Sequence, residues 1–356
     1  MLEPGGDTYA MKNRINLAYT TAFGRAYQGD SRDLFAAAEV ESGSVDLIFT
    51  SPPFALTSQK DYGNEPPDQF LDWFATFLPG FKRVLAPRGS LVIDVGGAYL
   101  PGKPKRSTYH FQLAVMLAKH FDLCQEFYWY NPAKLPAPIQ WTNVERIRVK
   151  DSVNLLLWLA NDASETKANN KRVLRQYSKG MRSLLRNGYT MANQKGNPAE
   201  ARPSNWVIRK QTFQDRGGAI PPNLIHNILS ISNTGSGGRY LEACRAHQIK
   251  PHDSRFPPDL PDFFVNFLTE PGDLVLDPFS GSNTTGFVAE SLERRWIACE
   301  LDAVGPGAGT YVRTSAFRFP NAKMQEGFDA LPAANWKRAE SDPTGSEQSQ
   351  LTLWDG

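Results

Sequence analysis

Short apolar segments that predict buried strands alternate along this chain with segments that predict helices. Near the end of the chain, residues 274–276, a loop rich in Gly, Ser and Thr, residues 286–292 and residues 296–299 predict a strand, a loop, a helix and a strand. Further strands are predicted at residues 45–49, 91–95, 127–130 and 153–159, and a buried helix at residues 111–121. This alternation is typical of an α/β fold, in which helices cover the sheet.

Length and composition exclude several classes of protein. The chain has 356 residues, of which 41% are hydrophobic and 21% charged, so it is too apolar to be disordered. Its length allows about two domains. Cys124, Cys244 and Cys299 form no C-x-x-C pair, so we expect no disulfide framework, no metal site and a cytoplasmic location. The longest apolar run, residues 155–160, is far too short to cross a membrane, and no secretion signal is predicted.

The formal net charge of +2 hides an uneven distribution. Residues 163–216 contain twelve Lys and Arg against three acids, a net charge of +9 that leaves −7 for the rest of the chain. The segment is also rich in Asn and Gln, which with Arg read base edges in duplex DNA. A solvated helical face is the alternative interpretation. The cations expected to contact DNA are Lys171, Arg172, Arg175, Lys179 and Arg182.

The Gly-rich loop at residues 277–286 lies between a strand and a helix, where a doubly wound sheet binds a nucleotide-like ligand. Gly281 would let the backbone approach the ligand, and the polar residues after it would cap the helix and present its free amides. Glu300 stands 23 residues after Asp277, where an acid can accept hydrogen bonds from ribose hydroxyls. Taken alone, the loop could equally be a tight turn with an ordinary cap.

A second distinctive segment, Thr50-Ser51-Pro52-Pro53-Phe54, ends the predicted strand at residues 45–49. Its two prolines remove two amide donors, which leaves the Ser51 hydroxyl and the carbonyl groups of Ser51 and Pro52 as acceptors beside an aromatic ring. Such a site suits an exocyclic amino group, while Phe54 stacks on the attached ring. For the segment by itself, a rigid turn with Phe54 in the core is the favoured interpretation.

Together the two segments resemble the amino-directed DNA methyltransferases that use S-adenosylmethionine. The Ser-Pro-Pro-Phe tetrad resembles the branch that methylates cytosine N4, since the adenine-N6 branch usually has Asp or Asn in place of Ser51. The order of tetrad, basic segment and Gly-rich loop is similar to that of the circularly permuted β group, and the likeness covers most of residues 27–302. The resemblance implies a Rossmann-like α/β methyltransferase sheet, circularly permuted, with an inserted target-recognition region.

The resemblance also implies an organisation and a function. The expected divisions are an N-terminal extension (1–26), a catalytic half with the tetrad (27–160), a target-recognition region (161–245), a cofactor-binding half (246–320) and a C-terminal tail (321–356). We expect a site-specific cytosine-N4 methyltransferase, a monomer or weak dimer, that acts on double-stranded DNA with S-adenosylmethionine as cofactor and with a cognate restriction endonuclease acting separately. The alternatives are an adenine-N6 DNA methyltransferase, a nicotinamide-dependent oxidoreductase and an inactive DNA-binding protein.

Roles for individual residues follow from the same resemblance. The cofactor-binding residues would be Asp30, Phe256, Pro257, Asp277, Phe279, Gly281, Ser282, Asn283, Thr284 and Glu300. Asp30 would accept from the adenine amino group, Phe279 would pack on the adenosyl moiety, and the Asn283 side chain could touch the ligand. Trp129 and Tyr130 belong to a segment that grips the extruded base, and because they face opposite sides of a strand, which of them meets the base stays open.

The implied chemistry places a cytosine outside the helix, because its N4 amino group is otherwise buried in a base pair. The N4 lone pair attacks the sulfonium methyl group in line, so catalysis is chiefly a matter of positioning. Asp94 would accept the departing proton or act through Ser51, unless it only anchors the loop at Gly96 and Gly97. The expected catalytic residues are Ser51, Pro52, Pro53, Phe54 and Asp94.

Overall fold

The computed structural model describes residues 15–55, 64–174, 176–187, 215, 217, 227–233, 238–301 and 310–329. These residues form one mixed sheet with the strand order β10-β1-β2-β9-β8-β3-β4-β6-β5-β7. Its strands are β1 (Asn16–Thr20), β2 (Gly24–Gln28), β3 (Val45–Thr50), β4 (Leu85–Gly96), β5 (Asp122–Tyr130), β6 (Val153–Ala160), β7 (Ile228–Ser230), β8 (Leu274–Asp277), β9 (Arg295–Glu300) and β10 (Lys323–Met324). The central run from β2 to β4 is parallel, so the carboxyl ends of these strands lie at one edge of the sheet.

Helices cover both faces of the sheet, as the α/β pattern predicts. They are α1 (Ser31–Ala36), α2 (Phe70–Ala75), α3 (Leu78–Val84), α4 (Tyr109–Leu117), α5 (Lys179–Asn187), α6 (Arg239–Ala246), α7 (Asp259–Leu268), α8 (Thr284–Ser291) and α9 (Thr310–Ser315). A π-helical turn spans Gln140–Val144, and 3-10 turns span Asn170–Val173 and Ala316–Arg318. Successive β3 side chains face opposite sides: Ile48 packs with α1 to α4, and Phe49 packs with α7 to α9.

Two expectations about these elements need correction. The predicted buried helix at residues 111–121 is α4, and its Phe111 and Val115 are 61% and 63% exposed, because the helix packs on the sheet with its other side only. The sheet also begins earlier than residue 27, since β1 and most of β2 lie within the expected N-terminal extension. No helix in the described ranges is long and apolar enough to cross a membrane.

Candidate active site

A cavity of about 470 Å³ opens at the carboxyl ends of β3, β4, β8 and β9. Its volume lies within the range of about 300–1,000 Å³ that is usual for small-molecule sites. Ser51, Phe54 and Asp94 line it from the first half of the chain, and Gly281 and Glu300 line it from the second. The fold therefore brings the tetrad and the Gly-rich loop to one site, the position at which open α/β sheets bind ligands.

The tetrad forms one wall of the cavity directly after β3. Pro52 and Pro53 cannot continue the strand because they have no amide hydrogen to donate. The Ser51 hydroxyl donates to Asp94 Oδ2 at 3.1 Å. The Phe54 ring lies so close to Gly96 that a Cβ atom there would be 2.6 Å from its Cε2 atom, so glycine at this position makes room for the ring.

Asp94 is a buried carboxylate that nonetheless lines the cavity. Asn154 Nδ2 donates to its Oδ1 and Oδ2 atoms at 3.1 and 3.3 Å, and Lys134 Nζ donates to Asn154 Oδ1 at 3.4 Å. Burial raises the pKa of Asp94 to about 6, against hydrogen bonds from Asn154 and Ser51 that lower it. The hydrogen bonds that described residues donate to this carboxylate thus come from Ser51 and Asn154, which supports a link to the tetrad.

The Gly-rich loop approaches the cavity with its backbone. Gly281 has a φ of +51°, a left-handed conformation that favours glycine, and its amide donates to Glu300 Oε2 at 2.6 Å. A Cβ atom at Gly281 would lie 3.2 Å from the ring of His252. Burial lowers the pKa of His252 to about 4, so this ring is neutral at pH 7. Glu300 therefore both shapes the loop and lines the cavity.

Asp277 and Asn283 hold the loop from inside the protein. Asp277 accepts hydrogen bonds from the hydroxyl groups of Thr50 and Thr285, each at 2.7 Å, and neither Asp277 nor Asn283 lines the cavity. Asn283 has a φ of +53° and caps α8 by accepting from the Gly286 amide at 3.0 Å. Its Nδ2 atom donates to the Tyr19 hydroxyl, so the expectation that its side chain could touch the ligand does not fit the structure.

Arg318 is a residue at this loop that sequence reasoning missed. Its Nε atom donates to the Ser282 carbonyl at 2.5 Å, and its Nη2 atom donates to the hydroxyls of Ser282 and Thr284 at 2.9 and 3.0 Å. Its guanidinium carbon lies 4.7 Å from the centre of the Tyr240 ring. Burial lowers the pKa of Arg318 to about 10, so the group remains charged at pH 7. Nothing in the sequence around position 318 signals this role.

An aromatic surface lies beside the loop. Phe279 lines the cavity, and its ring centre lies 5.0 Å from that of Phe77 and 5.8 Å from that of Trp73. Asp30 also lines the cavity, but its carboxylate accepts two hydrogen bonds of 3.0 Å from Arg32 Nε. These bonds compete with its expected hydrogen bond to an adenine amino group.

The remaining predicted cofactor residues lie before α7. Phe256 lines the cavity, and its ring packs edge-on against Phe49 with the centres 5.5 Å apart. Pro257 is buried and does not line the cavity. Of this pair, only Phe256 is placed to contact a bound ligand.

The structure distinguishes the two aromatic residues expected near the base. Trp129 is buried, lines the cavity and donates from Nε1 to the Ile231 carbonyl at 2.8 Å. Tyr130 is 39% exposed and does not line the cavity. Trp129 is therefore the one of the two that can meet a base in this cavity.

The predicted DNA-binding cations fall into three groups. Lys171, Lys179 and Arg182 are exposed, the last two on α5. Arg172 instead pairs with Glu270 Oε1 at 3.1 Å, two residues after the end of α7, so this ion pair occupies its guanidinium group. Arg175 lies outside the described residues, as does most of the basic segment.

The fold can now be compared with those of solved proteins. The solved structure of the PvuII DNA methyltransferase (cytosine-N4-specific) is similar to this one with a TM-score of 0.64 and 38% identity, over 86% of this chain and 90% of that chain. The predicted Rossmann-like fold of S-adenosylmethionine-dependent methyltransferases is thereby confirmed. The DNA methylase family (N6_N4_Mtase) matches residues 45–304, and the chain belongs to this family.

Curated relatives agree with this assignment. The type II methyltransferase M.PvuII of Proteus hauseri is 44% identical over 311 residues, which are 87% of this chain and 87% of the relative. The type II methyltransferase M.BamHI of Bacillus amyloliquefaciens is 27% identical over 80% of this chain and 56% of its own length. The family assignment decides against a nicotinamide-dependent oxidoreductase.

Proposed function

We propose that this protein transfers a methyl group from S-adenosylmethionine to the exocyclic N4 amino group of a cytosine flipped out of duplex DNA. The observation that carries the proposal is the shared cavity, in which the Ser51 hydroxyl and Asp94 face the same space as the Gly281 loop. Relatives described as type II methyltransferases, one of them cytosine-N4-specific, support the same reaction within a restriction-modification system.

The residues present fit the cofactor. Glu300, at the end of β9, offers carboxylate oxygens for ribose hydroxyls, and Phe279 and Phe256 offer apolar surface for the adenosyl moiety. The left-handed backbone at Gly281 lets a ligand approach the loop closely. When bound, S-adenosylmethionine supplies an electrophilic methyl group. The neutral ring of His252 beside Gly281 adds no positive charge that would oppose the sulfonium.

The tetrad would hold the amino group for attack. The Ser51 hydroxyl and the Pro52 carbonyl accept hydrogen bonds from N4–H, and these bonds strengthen as the nitrogen becomes positive in the transition state. Phe54, held against Gly96, would stack on the cytosine ring. Asp94 then receives the departing proton directly or through the Ser51 hydroxyl that already donates to it.

DNA would be held by the basic segment as well as by the cavity. The exposed cations Lys171, Lys179 and Arg182 support phosphate contacts, which make affinity fall steeply with salt concentration. Apart from the N-terminal extension, whose residues 16–20 and 24–26 belong to the sheet, the expected divisions of the chain remain part of the proposal, as do a cytoplasmic location and a monomeric or weakly dimeric enzyme. A monomer suffices because each strand of a site can be methylated separately.

Nucleoside mass spectrometry tests the function directly. The purified chain is incubated with methyl-labelled S-adenosylmethionine and unmethylated duplexes of varied sequence, which are then digested to nucleosides. N4-methyldeoxycytidine is the expected product, and the labelled duplexes locate the target site. N6-methyldeoxyadenosine would overturn the cytosine assignment in favour of the adenine alternative, and no labelled nucleoside would overturn both.

Ser51→Ala tests the tetrad within that assay. The variant should bind S-adenosylmethionine with wild-type affinity in calorimetry, yet lose most methyl transfer because N4 loses its hydroxyl acceptor. Ser44→Ala is a matched control, since Ser44 precedes β3 at the opposite edge of the sheet, where its hydroxyl donates to the Glu41 carbonyl at 2.7 Å. Wild-type turnover in Ser51→Ala would refute the role of the tetrad.

A further inference from the structure

Lys134 places a positive charge in the cavity that the tetrad also lines. Ser51, Asp94, Asn154 and Lys134 all line the cavity, and hydrogen bonds connect them in this order. The last of these bonds, from Lys134 Nζ to Asn154 Oδ1, is long at 3.4 Å. Within the described part of the chain it is the hydrogen bond that the Lys134 ammonium group makes, although such a group has three donors. Donor capacity is therefore available to a ligand.

No described carboxylate forms an ion pair with Lys134. The Lys134 charge acts on Asp94 through space and opposes the rise in its pKa that burial causes, but the two groups are not in contact, so the ammonium group can still bond a ligand atom that carries negative charge. The side chain is half-buried, so part of the hydration of its ammonium group is already lost. For a base that enters the cavity with its amino group at Ser51, we place the Watson–Crick edge along the hydrogen-bonded row of side chains that ends at Lys134.

The Watson–Crick edges of cytosine and adenine differ at one end. Cytosine carries its N4 amino group, the N3 acceptor and the O2 carbonyl oxygen in that order, whereas adenine carries N6, N1 and a C2–H group. A donor placed two positions along from the amino group therefore meets an oxygen in cytosine and a C–H bond in adenine. Flipped bases are read by such hydrogen bonds. A site built to bond an acceptor rejects an analogue that lacks it, because its donor is left unpaired.

We propose that Lys134 donates a hydrogen bond to the O2 carbonyl oxygen of the flipped cytosine and thereby selects cytosine over adenine. This inference rests on the proposed function and states how the same site chooses its base. The tetrad bonds to the amino group and stacks on the ring, and both bases possess these two features. Lys134 reads the opposite end of the edge, while its bond to Asn154 keeps the Asn154 amide nitrogen directed at Asp94.

A cytosine analogue separates base reading from a purely structural role. Single-turnover rates are measured for the wild type and Lys134→Met on two duplexes, which carry cytosine or 2-thiocytosine at the methylated position. Sulfur is a much weaker acceptor than oxygen, so the wild type should be about 10- to 100-fold slower on the thio duplex, as for weakening a hydrogen bond to a charged group. Lys134→Met should be slower on cytosine by a similar factor and should distinguish the two duplexes by less than about threefold.

Two further variants and a binding measurement complete the experiment. Lys134→Arg, which restores a charged donor, should recover part of the discrimination. Lys82→Met is the matched control, because Lys82 also donates to an asparagine, Asn161 Oδ1 at 3.0 Å, but at the opposite edge of the sheet. It should keep wild-type rates on both duplexes. Calorimetry with S-adenosylmethionine should give wild-type affinity for every variant and so show that each has folded.

The outcomes distinguish this inference from the proposed function. If Lys134→Met slows both duplexes equally and keeps the wild-type ratio, Lys134 acts only through Asn154 and the inference is overturned. Wild-type rates in Lys134→Met would overturn it as well. A wild-type enzyme that methylates adenine N6 instead of cytosine N4 would overturn the proposed function and the inference together.

Discussion

Two buried carboxylates lie near the carboxyl ends of the parallel strands, and they differ in their hydrogen-bond donors and in their access to the cavity. Asp94 on β4 and Asp277 at the end of β8 are each 2% exposed, and burial raises the pKa of both to about 6. Asp94 lines the cavity and accepts from Ser51 and Asn154. Asp277 accepts from two threonine hydroxyls and the Phe279 amide, and it does not line the cavity.

The difference shows that a raised pKa alone does not mark a catalytic group, since structural networks also perturb pKa values. The hydroxyl of Thr50 on β3 and that of Thr285 on α8 both point at Asp277, which thereby fastens the two halves of the chain together. Asp94 is instead joined to the tetrad and open to a ligand. Substitutions should therefore separate a carboxylate that takes part in the reaction from one that holds the fold.

The largest difference is expected between Asp94→Asn and Asp277→Asn. Asp94→Asn should lower kcat by about 10²- to 10⁴-fold, because an amide cannot accept the proton that leaves N4. Asp277→Asn keeps the shape of the side chain, and the Thr285 hydroxyl can turn to accept from the amide, so kcat at saturating cofactor should change little. Single-turnover methylation of a duplex with the target site measures both effects. Equal losses in the two variants would remove the distinction between the two carboxylates.

The second prediction concerns pH, where activity and stability should move in opposite directions. Only ionised Asp94 can accept a proton, so kcat/KM should fall about tenfold per pH unit below about 6 and level off above it. Both carboxylates bind protons more tightly folded than unfolded. Their contribution to the free energy of unfolding is therefore fully present below the ordinary pKa of 3.8 and is lost as pH rises through about 6.

Asp94→Asn and Asp277→Asn show which carboxylate causes each of these pH effects. Asp277→Asn should keep the fall in kcat/KM below pH 6, whereas the residual activity of Asp94→Asn should not show it. Thermal unfolding at pH 5 and pH 7 should show a smaller gain in Tm on acidification for Asp277→Asn than for the wild type. A pH profile of kcat/KM that is unchanged in Asp94→Asn would mean that another group accepts the proton.

The sequence predicted those parts of the site that consist of short contiguous motifs. The Ser51 tetrad and the Gly281 loop are such segments, and the apolar runs beside them predicted β3 and β8. Asn154, Lys134 and Arg318 come to the site from distant positions, and single polar residues carry no local signal of the contacts that folding gives them. The Asn283 side chain likewise turns away from the cavity because it donates to Tyr19 of β1, which lies in the expected N-terminal extension.

Some differences could have been anticipated from neighbouring residues. Arg32 stands two positions after Asp30, and this spacing already allows the ion pair that occupies the carboxylate. The short strands β1, β2 and β10 have no long apolar run and gave no clear pattern. Phe111 and Val115 stand four residues apart, which places them on one side of a helix, but only the packed structure shows that this side faces out.

Two phenylalanines that line the cavity, one in the tetrad and one at the Gly-rich loop, extend the comparison to aromatic contacts. Phe54→Ala should raise the barrier to methyl transfer by about 1–3 kcal/mol, the range found for stacking of a base on an aromatic ring, and leave cofactor affinity unchanged. Phe279→Ala should instead weaken S-adenosylmethionine binding, since Phe279 lies at the loop with Phe77 and Trp73. Single-turnover rates and calorimetry on both variants measure the contrast. A loss of cofactor affinity in Phe54→Ala would contradict the assignment of Phe54 to the base and Phe279 to the cofactor.

The smallest effect is expected at Arg318, which shapes the cofactor loop without lining the cavity. Arg318→Met keeps much of the buried volume but removes the bonds to Ser282 and Thr284, so the loop must be ordered when the ligand binds. The Kd for S-adenosylmethionine should rise because the loop loses charged hydrogen bonds. The rise should be only about tenfold, since contacts with the bound ligand partly replace those bonds. The value of kcat at saturating cofactor should stay near that of the wild type, since Ser51 and Asp94 are untouched.

Arg313→Met is the matched control, because Arg313 on α9 donates to the Gly327 carbonyl away from the loop and should leave the Kd unchanged. A fall in kcat with an unchanged Kd in Arg318→Met would place the influence of Arg318 on the tetrad side of the cavity instead.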